Sequence, residues 1–222
     1  MKKLIVVLFS LWITQILFAE TIVNFSSDSH RKGITVSVGL DYALLALQIG
    51  YVHSFNISKI GRSLILDTGF TFPLTKPDLR DFKIHSGVSI NTVKVKKFQI
   101  PVSFKFILRG NANKAYNAIG FGSVLMISPG LYTDKITIAS EIFWDSEWAT
   151  YITFSDYYQF IYSDGKEGWY AGSSNIFRFG ARIGGLIKKR VEIYVKAGYE
   201  LQGKYNLKVP PVYAVLGSSI RF

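Results

Sequence analysis

The sequence predicts an all-β fold, an antiparallel up-and-down transmembrane β-barrel of about ten strands, with eight or twelve also compatible with the pattern. Apolar and polar residues alternate with a period of two through most of the chain, as strands require. After residue 19 no apolar run approaches the roughly 20 residues of a membrane-spanning helix. The charged residues of each segment also share one parity, so one strand face is polar and the other is apolar.

The first 19 residues have the pattern of a cleaved secretory signal peptide. Met1-Lys2-Lys3 is a short basic region, Leu4 to Phe18 is almost wholly apolar, and Ala19-Glu20 is a suitable cleavage junction. The alternative is an uncleaved single-pass anchor, but no cluster of charges follows the run. We therefore expect a signal peptide over 1–19, an N-terminal segment over 20–33 and a barrel over 34–222.

The alternation is clearest near the C-terminus, where Phe177, Phe179 and Ile183 share a parity opposed by Arg178 and Arg182. The same reasoning gives ten strands, most of them long enough for a tilted crossing of about 9–11 residues, at 34–41, 45–56, 63–74, 82–95, 98–109, 115–127, 134–145, 175–187, 190–202 and 211–222.

Connections of alternating length are expected, with short turns at the end that carries both termini and longer loops at the other. The predicted short turns are Ser58–Gly61, Val95–Lys97, Ser128-Pro129-Gly130 and Lys188–Arg190. The predicted longer loops are Thr75–Asp81, Gly110–Lys114, 146–174 and Gln202–Pro210.

A soluble sandwich or lipocalin-like barrel also has alternating strands, but it turns its polar face to water. The apolar face here is nearly free of charge, as in Phe98, Ile100, Val102, Phe104, Phe106 and Leu108, which favours a lipid-facing exterior. The polar face, which would line the lumen, carries Asp67, His85, Lys105, Glu141, Arg178, Arg182, Glu192 and Lys196.

With its leader, its alternating strands and its terminal Ser219-Ile220-Arg221-Phe222, the chain resembles the bacterial outer-membrane β-barrel proteins, particularly those of eight to ten strands. The segments 164–170, 175–180 and 213–222 are also similar to a group of hypothetical outer-membrane proteins without an assigned function. The resemblance implies a location in the outer membrane of a Gram-negative-type bacterium. It also implies contact with phospholipid and lipopolysaccharide, and a role for Phe222 in the signal that the barrel-insertion machinery reads.

Catalytic chemistry is sparse in this sequence, and we expect no enzyme, no metal site and no cofactor. His30 precedes the first strand, His53 falls on the apolar parity, and His85 falls on the lumen parity near the loop end. Only His85 has the position of a general base, but Ser86 lies on the opposite face and Asp81 lies in the adjacent loop. An enzyme acting on lipid or peptide at the outer rim is the least favoured hypothesis.

The charges of the lumen parity allow two interpretations. The acids are Asp67, Glu141, Glu192 and Glu200, and the bases are Lys105, Arg109, Lys135, Arg178, Arg182, Lys196 and Arg221, an excess of +3 (7 − 4). Cross-strand ion pairs, such as Arg178 or Arg182 with Glu192, would brace the barrel. Alternatively, the basic excess would line a narrow, weakly anion-preferring channel.

The formal charge of the chain is +11, and much of it falls in the predicted short turns. These carry Lys59, Arg62, Lys94, Lys96, Lys97, Lys188, Lys189 and Arg190, with Asp134 as the one nearby acid. They are expected either to face phospholipid headgroups or to be ordinary solvated turn residues. Since an exported, lipid-facing protein has no access to nucleic acid, we exclude nucleic acid as a partner.

If the protein has a surface-interaction role, we expect the predicted 146–174 loop to carry it. Within this loop, Ser155-Asp156 is expected to cap a short helix that ends near Tyr162. Its candidate recognition residues are Trp148, Tyr157, Tyr158, Trp169 and Tyr170. Alternatively, these aromatic residues close the lumen as a lid or anchor the loop at the membrane interface. The sequence names no extracellular ligand, so the favoured role is structural or surface-interacting.

Overall fold

The computed structural model describes residues 31–41, 44–57, 62–74, 78, 80–161, 165–202 and 212–222. These form eleven strands and one short helix, at β1 Lys32–Asp41, β2 Leu44–Ile57, β3 Arg62–Pro73, β4 Phe82–Val95, β5 Phe98–Ala112, β6 Tyr116–Ile127, β7 Gly130–Tyr132, β8 Ile136–Phe154, α1 Asp156–Ile161, β9 Gly168–Ile187, β10 Val191–Gln202 and β11 Val212–Arg221. The predicted signal peptide, His30, Lys59 and most of the 20–33 segment lie outside the described residues.

Ten of the strands form a closed antiparallel ring. Each pairs with its neighbours along the chain, and β11 returns to pair with β1 from Gly33↔Arg221 to Leu40↔Ala214. The pairing of β4 with β5 completes the circle. The predicted up-and-down barrel of about ten strands is therefore confirmed, because no long strand of the ring lacks a partner on either side.

Strand β7 continues β6 and does not follow a turn. The pairs Val102↔Ile127 and Phe98↔Leu131 share one register on β5, and Ile127↔Ile142 and Leu131↔Ile138 share one on β8. Across the gap, Ser128 N–H donates to Pro101 O (3.0 Å) and Ser140 N–H donates to Pro129 O (2.9 Å). The predicted Ser128-Pro129-Gly130 turn is thus wrong: Pro129 removes one donor without reversing the chain. The reversal occurs at residues 133–135.

The predicted 146–174 loop is also wrong in its extent. Strands β8 and β9 pair from Ile136↔Gly185 to Ile152↔Gly168. An irregularity between Glu147 and Ala149 shifts the inward positions of β8 from odd-numbered residues to even-numbered ones. The connection is residues 155–167, and it contains α1. The predicted cap is confirmed, because the Tyr158 N–H donates to the Ser155 hydroxyl oxygen (3.3 Å).

Side-chain direction in the barrel is the reverse of that in a soluble protein. The inward positions are polar or charged and buried, and the outward positions are large apolar side chains exposed along every long strand. A small apolar layer of Ile107, Val124, Met126 and Phe143 also lies inside. None of the helices in the described part is long and apolar enough to cross a membrane.

Glycines leave room for the largest interior side chains. The ring of Tyr194 lies over Gly217, where an added Cβ would stand 2.2 Å from the ring Cζ. On the same ring, the Arg182 guanidinium carbon lies 4.3 Å from the centroid, within the range of a cation–π contact. Gly217 is therefore the position that allows this stack to form across β9, β10 and β11.

Three lysines occupy turn conformations that usually belong to glycine or asparagine. Lys96 has a φ of 55°, and Lys188 and Lys189 have φ values of 49° and 60°. The Arg190 N–H donates to Ile187 O (3.0 Å), which makes Lys188 and Lys189 the central residues of a turn with positive φ at both positions, as in type I′. A left-handed conformation costs a residue with a Cβ about 1 kcal/mol or more.

The Gly217 contact predicts a large effect for a single methyl group. Gly217→Ala should destabilise the barrel by about 1–3 kcal/mol, because Tyr194 and the Arg182 stacked on it must move. The measurement is urea-induced unfolding from lipid vesicles, followed by tryptophan fluorescence. Gly185→Ala is the matched control, since an added Cβ there meets nothing within 4 Å. Equal losses for the two variants would contradict the packing argument.

Candidate functional site

The candidate site is the charged interior of the barrel. All eight side chains predicted to line the lumen, Asp67, His85, Lys105, Glu141, Arg178, Arg182, Glu192 and Lys196, are buried within the ring. Each lies on the inward parity of its strand, and at least one of its neighbours in sequence is an apolar side chain exposed on the outward face. The strand period thus brings charges from six strands into one enclosed volume.

Asp67 on β3 is the centre of one cluster. Its carboxylate contacts the Nε2 of His85 on β4 at 3.3 Å and accepts from the Nζ of Lys105 on β5. An added Cβ at Gly69 would stand 2.4 Å from the His85 ring, so this glycine admits the imidazole. The cluster links three consecutive strands around one carboxylate.

Glu192 on β10 is the centre of a second cluster. It accepts from the Arg182 guanidinium (2.8 Å), the Arg221 guanidinium (3.2 Å) and the Ser219 hydroxyl (3.5 Å). The predicted pairing of Arg182 with Glu192 is confirmed. Because Arg182 is on β9 and the other two donors are on β11, one carboxylate connects three strands beside the C-terminus of the barrel.

Two further ion pairs lie in the interior. The Lys196 ammonium on β10 lies 2.9 Å from the Glu141 carboxylate on β8, and both side chains are fully buried. The Arg178 Nε lies 3.3 Å from the Glu200 carboxylate, directly opposite on the neighbouring strand. Lys196 and Glu141 are two strands apart, so this contact spans the interior face of β9.

A third cluster contains acids that the sequence pattern did not assign to the lumen. Arg109 on β5 donates to the Glu147 carboxylate (3.1 Å) and to both oxygens of Asp145 on β8, and the Thr150 hydroxyl donates to Glu147. Asp145 and Glu147 are predicted at the edge and in the interior of a loop because the predicted strand ends at Asp145, whereas β8 continues to Phe154. The continuing inward parity of β8 is the signal that would have found them.

The interior charge is consequently closer to neutral than the predicted +3. Lys135 is exposed in the 133–135 turn and does not belong to the interior. Among the described residues the buried bases number seven and the buried acids six, an excess of +1: Lys83, Lys105, Arg109, Arg178, Arg182, Lys196 and Arg221 against Asp67, Glu141, Asp145, Glu147, Glu192 and Glu200. Nearly every interior cation therefore has an acid available to it.

The interior is filled at the level of these clusters. Lys105, Glu141, Arg182, Glu192 and Lys196 have 0% exposed surface, so no solvent column reaches them. A cavity of about 10 Å³, room for about one water molecule, lies beside Arg109 and Glu147 under Phe82 and Asn111. Paired charges in such an enclosure hold each other in place, whereas a path for ions needs mobile water.

The histidines show no catalytic arrangement in the described part of the chain. The His85 side chain is buried inside the barrel beside Asp67, and the Ser86 side chain is on the outward face. The His53 ring stacks on Phe55 at 4.1 Å on the outside of β2. Groups of three or more His, Asp or Glu able to hold a metal ion are absent from the described residues.

The predicted recognition residues divide between the wall and the loop. Trp148, Trp169 and Tyr170 lie on β8 and β9, and Trp169 packs against Phe121 and Tyr151 on the outside of the barrel. Tyr157 and Tyr158 lie in α1, and Tyr158 stacks on Phe154 at 4.7 Å. Glu167 accepts from the Phe154 N–H (2.8 Å) and from the Gln159 amide (3.1 Å), which ties the loop to the end of β8.

Phe222, the predicted C-terminal insertion signal, ends the chain against β1. Its N–H donates to Lys32 O (2.9 Å), and Lys32 N–H donates to Phe222 O (3.2 Å). Its side chain is exposed on the outward face.

The Lys196–Glu141 pair predicts a charge-dependent loss of stability. Glu141→Gln should cost about 3–5 kcal/mol, because it leaves a buried ammonium without its carboxylate. Adding Lys196→Met should recover most of the loss, since the second change removes the uncompensated charge. Urea unfolding of the two single variants and the double variant gives the coupling. Additive losses would show that the two side chains do not act as a pair.

The sequence itself matches no protein-family model and no curated protein. The closed barrel, its paired interior charges and its apolar exterior are therefore the features that bear on function.

Proposed function

We propose that this protein is an outer-membrane β-barrel with a closed interior, and that it acts as a structural or surface-interacting protein through its outer loops. The observation that carries the proposal is the inverted side-chain distribution. Charged side chains are buried inside the ring, while Ile34, Phe55, Phe106, Phe179 and Ile220 are among the many apolar side chains exposed outside. This arrangement is stable where the solvent around the protein is lipid.

A water-facing exterior fits these residues poorly. Monomeric soluble proteins expose single apolar side chains, but a continuous apolar surface around a whole barrel would aggregate. The backbone also fits a bilayer, because a closed ring leaves no unpaired strand edge along its wall. The signal peptide and the C-terminal aromatic residue expected from the sequence agree with export to an outer membrane.

Membrane insertion predicts strong quenching of three outward tryptophans. Trp144, Trp148 and Trp169 each have about half or more of their surface exposed on the outside of β8 and β9. In vesicles of lipids with brominated acyl chains, single-tryptophan variants that keep one of them should lose most of their fluorescence, and Trp169 near the loop end should be quenched best by shallow bromines. Tryptophans that remain accessible to aqueous iodide and insensitive to bromine would contradict a lipid-facing exterior.

The closed interior argues against the alternative of a narrow anion channel. The seven buried bases and six buried acids nearly cancel, so the interior has little net positive charge to attract anions. The largest interior side chains are also packed without exposed surface. Catalysis is not proposed, because the buried imidazole of His85 already contacts the Asp67 carboxylate and the adjacent Ser86 faces outward. Among the described residues, β8 and β9 are the longest strands, and Phe160 on α1, which connects them, is 89% exposed. That exposed aromatic surface is the proposed site of interaction.

The closed interior predicts electrical silence in planar bilayers. The protein should show no steady conductance, and replacing residues 155–167 by Asn-Gly should leave it silent, because the block lies in the ion-paired interior and not in the loop. Altered migration of unheated protein on a gel provides the control for folding. Current that starts on loop removal would mean that the loop is a lid, and an anion-selective current in the unaltered protein would favour the channel.

A further inference from the structure

The short-turn end of the barrel carries a dense set of exposed basic side chains. The turn between β4 and β5 has Lys96 and Lys97, and Lys94 lies just before it near the end of β4. The turn between β9 and β10 has Lys188, Lys189 and Arg190, and all six side chains are exposed. Asp134 is the acid that reaches one of these cations among the described residues, at 2.8 Å from Lys189. This patch, the turn-lysine rim, is therefore strongly cationic, whereas the interior is nearly neutral.

The backbone indicates that charge, not turn preference, determines the residues of the rim. Lys96, Lys188 and Lys189 all have left-handed φ values between 49° and 60°. Glycine and asparagine adopt that conformation more readily, and Asn-Gly is the favoured pair for a turn with two positive φ values. Lysine at three such positions is a strained choice, and strain of this kind points to a function that the side chain performs.

The apolar exterior begins directly beside these lysines. Val95 is 61% exposed and Ile187 is 54% exposed, each adjacent in sequence to a turn lysine, and Phe98 is exposed on the other side of the first turn. If the outward apolar residues contact acyl chains, the lysines next to them are at the depth of the headgroups. A soluble partner below the membrane would not need its cations so close to the acyl boundary.

We propose that the turn-lysine rim binds the phosphate groups of anionic phospholipids in the leaflet at that end of the barrel. The inference rests on the proposed membrane location and adds the lipid class that the protein prefers. Ammonium groups next to an apolar surface match a lipid phosphate next to its acyl chains, and attraction of each lysine to an anionic surface is additive to a first approximation. The strained turns hold the cations at the edge of the apolar exterior.

The test compares unfolding in two kinds of vesicle, one of phosphatidylcholine alone and one with about a third phosphatidylglycerol. The unaltered protein should be more stable in the anionic vesicles. The quantity compared is the unfolding constant in phosphatidylcholine divided by that in the anionic vesicles. In Lys188→Gln/Lys189→Gln this ratio should fall roughly fivefold for each lysine removed. Lys188→Arg/Lys189→Arg is the matched control, because it retains the charge and should retain the lipid dependence.

A second variant separates charge from strain. Lys188→Asn/Lys189→Gly should be more stable than the unaltered protein in phosphatidylcholine, since Asn-Gly suits the turn, and should lose that advantage in anionic vesicles. A lipid dependence unchanged in both neutral-residue variants overturns the proposal. So does an equal stabilisation by inorganic phosphate in phosphatidylcholine at matched ionic strength, which would indicate a free anion. Failure of every form to insert into either vesicle would instead refute the membrane location itself.

Discussion

Closure of the sheet into a ring is the constraint on which the rest of the structure depends. It suits the membrane location that we propose, because a bilayer offers no hydrogen-bond partners to a polypeptide backbone. Every strand of the ring must find a partner on both sides, which a sheet achieves only by closing on itself. The contacts of β1 with β11 and of β4 with β5 are what turn an open meander into a ring. Strand β7 has the same effect at the end of β6. It continues β6 beyond Pro129 and pairs with both β5 and β8, so these two strands keep a partner where β6 ends.

Closure then separates two environments with opposite requirements. The outer face must be apolar, so the alternation of the strands assigns nearly all polar side chains to the inside, including ones that are costly to bury. Burying a charge costs several kcal/mol, and the structure offsets this with carboxylates that are shared, as Asp67 is between His85 and Lys105 and Glu192 is between Arg182 and Arg221. Shared carboxylates connect three strands each, so the interior contacts also resist deformation of the ring. The same packing removes the space that a channel would require.

Much of this fold follows from local sequence, and the exceptions have identifiable physical causes. Strand identity and facing depend on parity, which is a property of consecutive residues, and most predicted strands agree with those observed to within a few residues. The errors occur where one residue alters the ladder without ending it: Pro129 between β6 and β7, and the irregularity at Glu147–Ala149 that disguises the second half of β8. Ion pairs between neighbouring strands, such as Arg182 with Glu192, could be predicted. Contacts between strands two apart, such as Lys196 with Glu141 and Arg109 with Asp145, could not, because they depend on the curvature of the barrel.

The distribution of charge follows from the same separation. The interior accounts for +1, while the described residues together carry +8 (20 − 12), so most of their excess lies outside the interior, at the rims and in the loops. The outward face of the strands is mainly apolar, and the interior holds charge in near-balanced clusters. A cation without an acid is therefore accommodated best at the two ends of the barrel, where water solvates it. The turn lysines lie at such an end, in left-handed conformations that glycine or asparagine adopts more readily. The contact with lipid phosphate that we propose accounts for a cation at these positions.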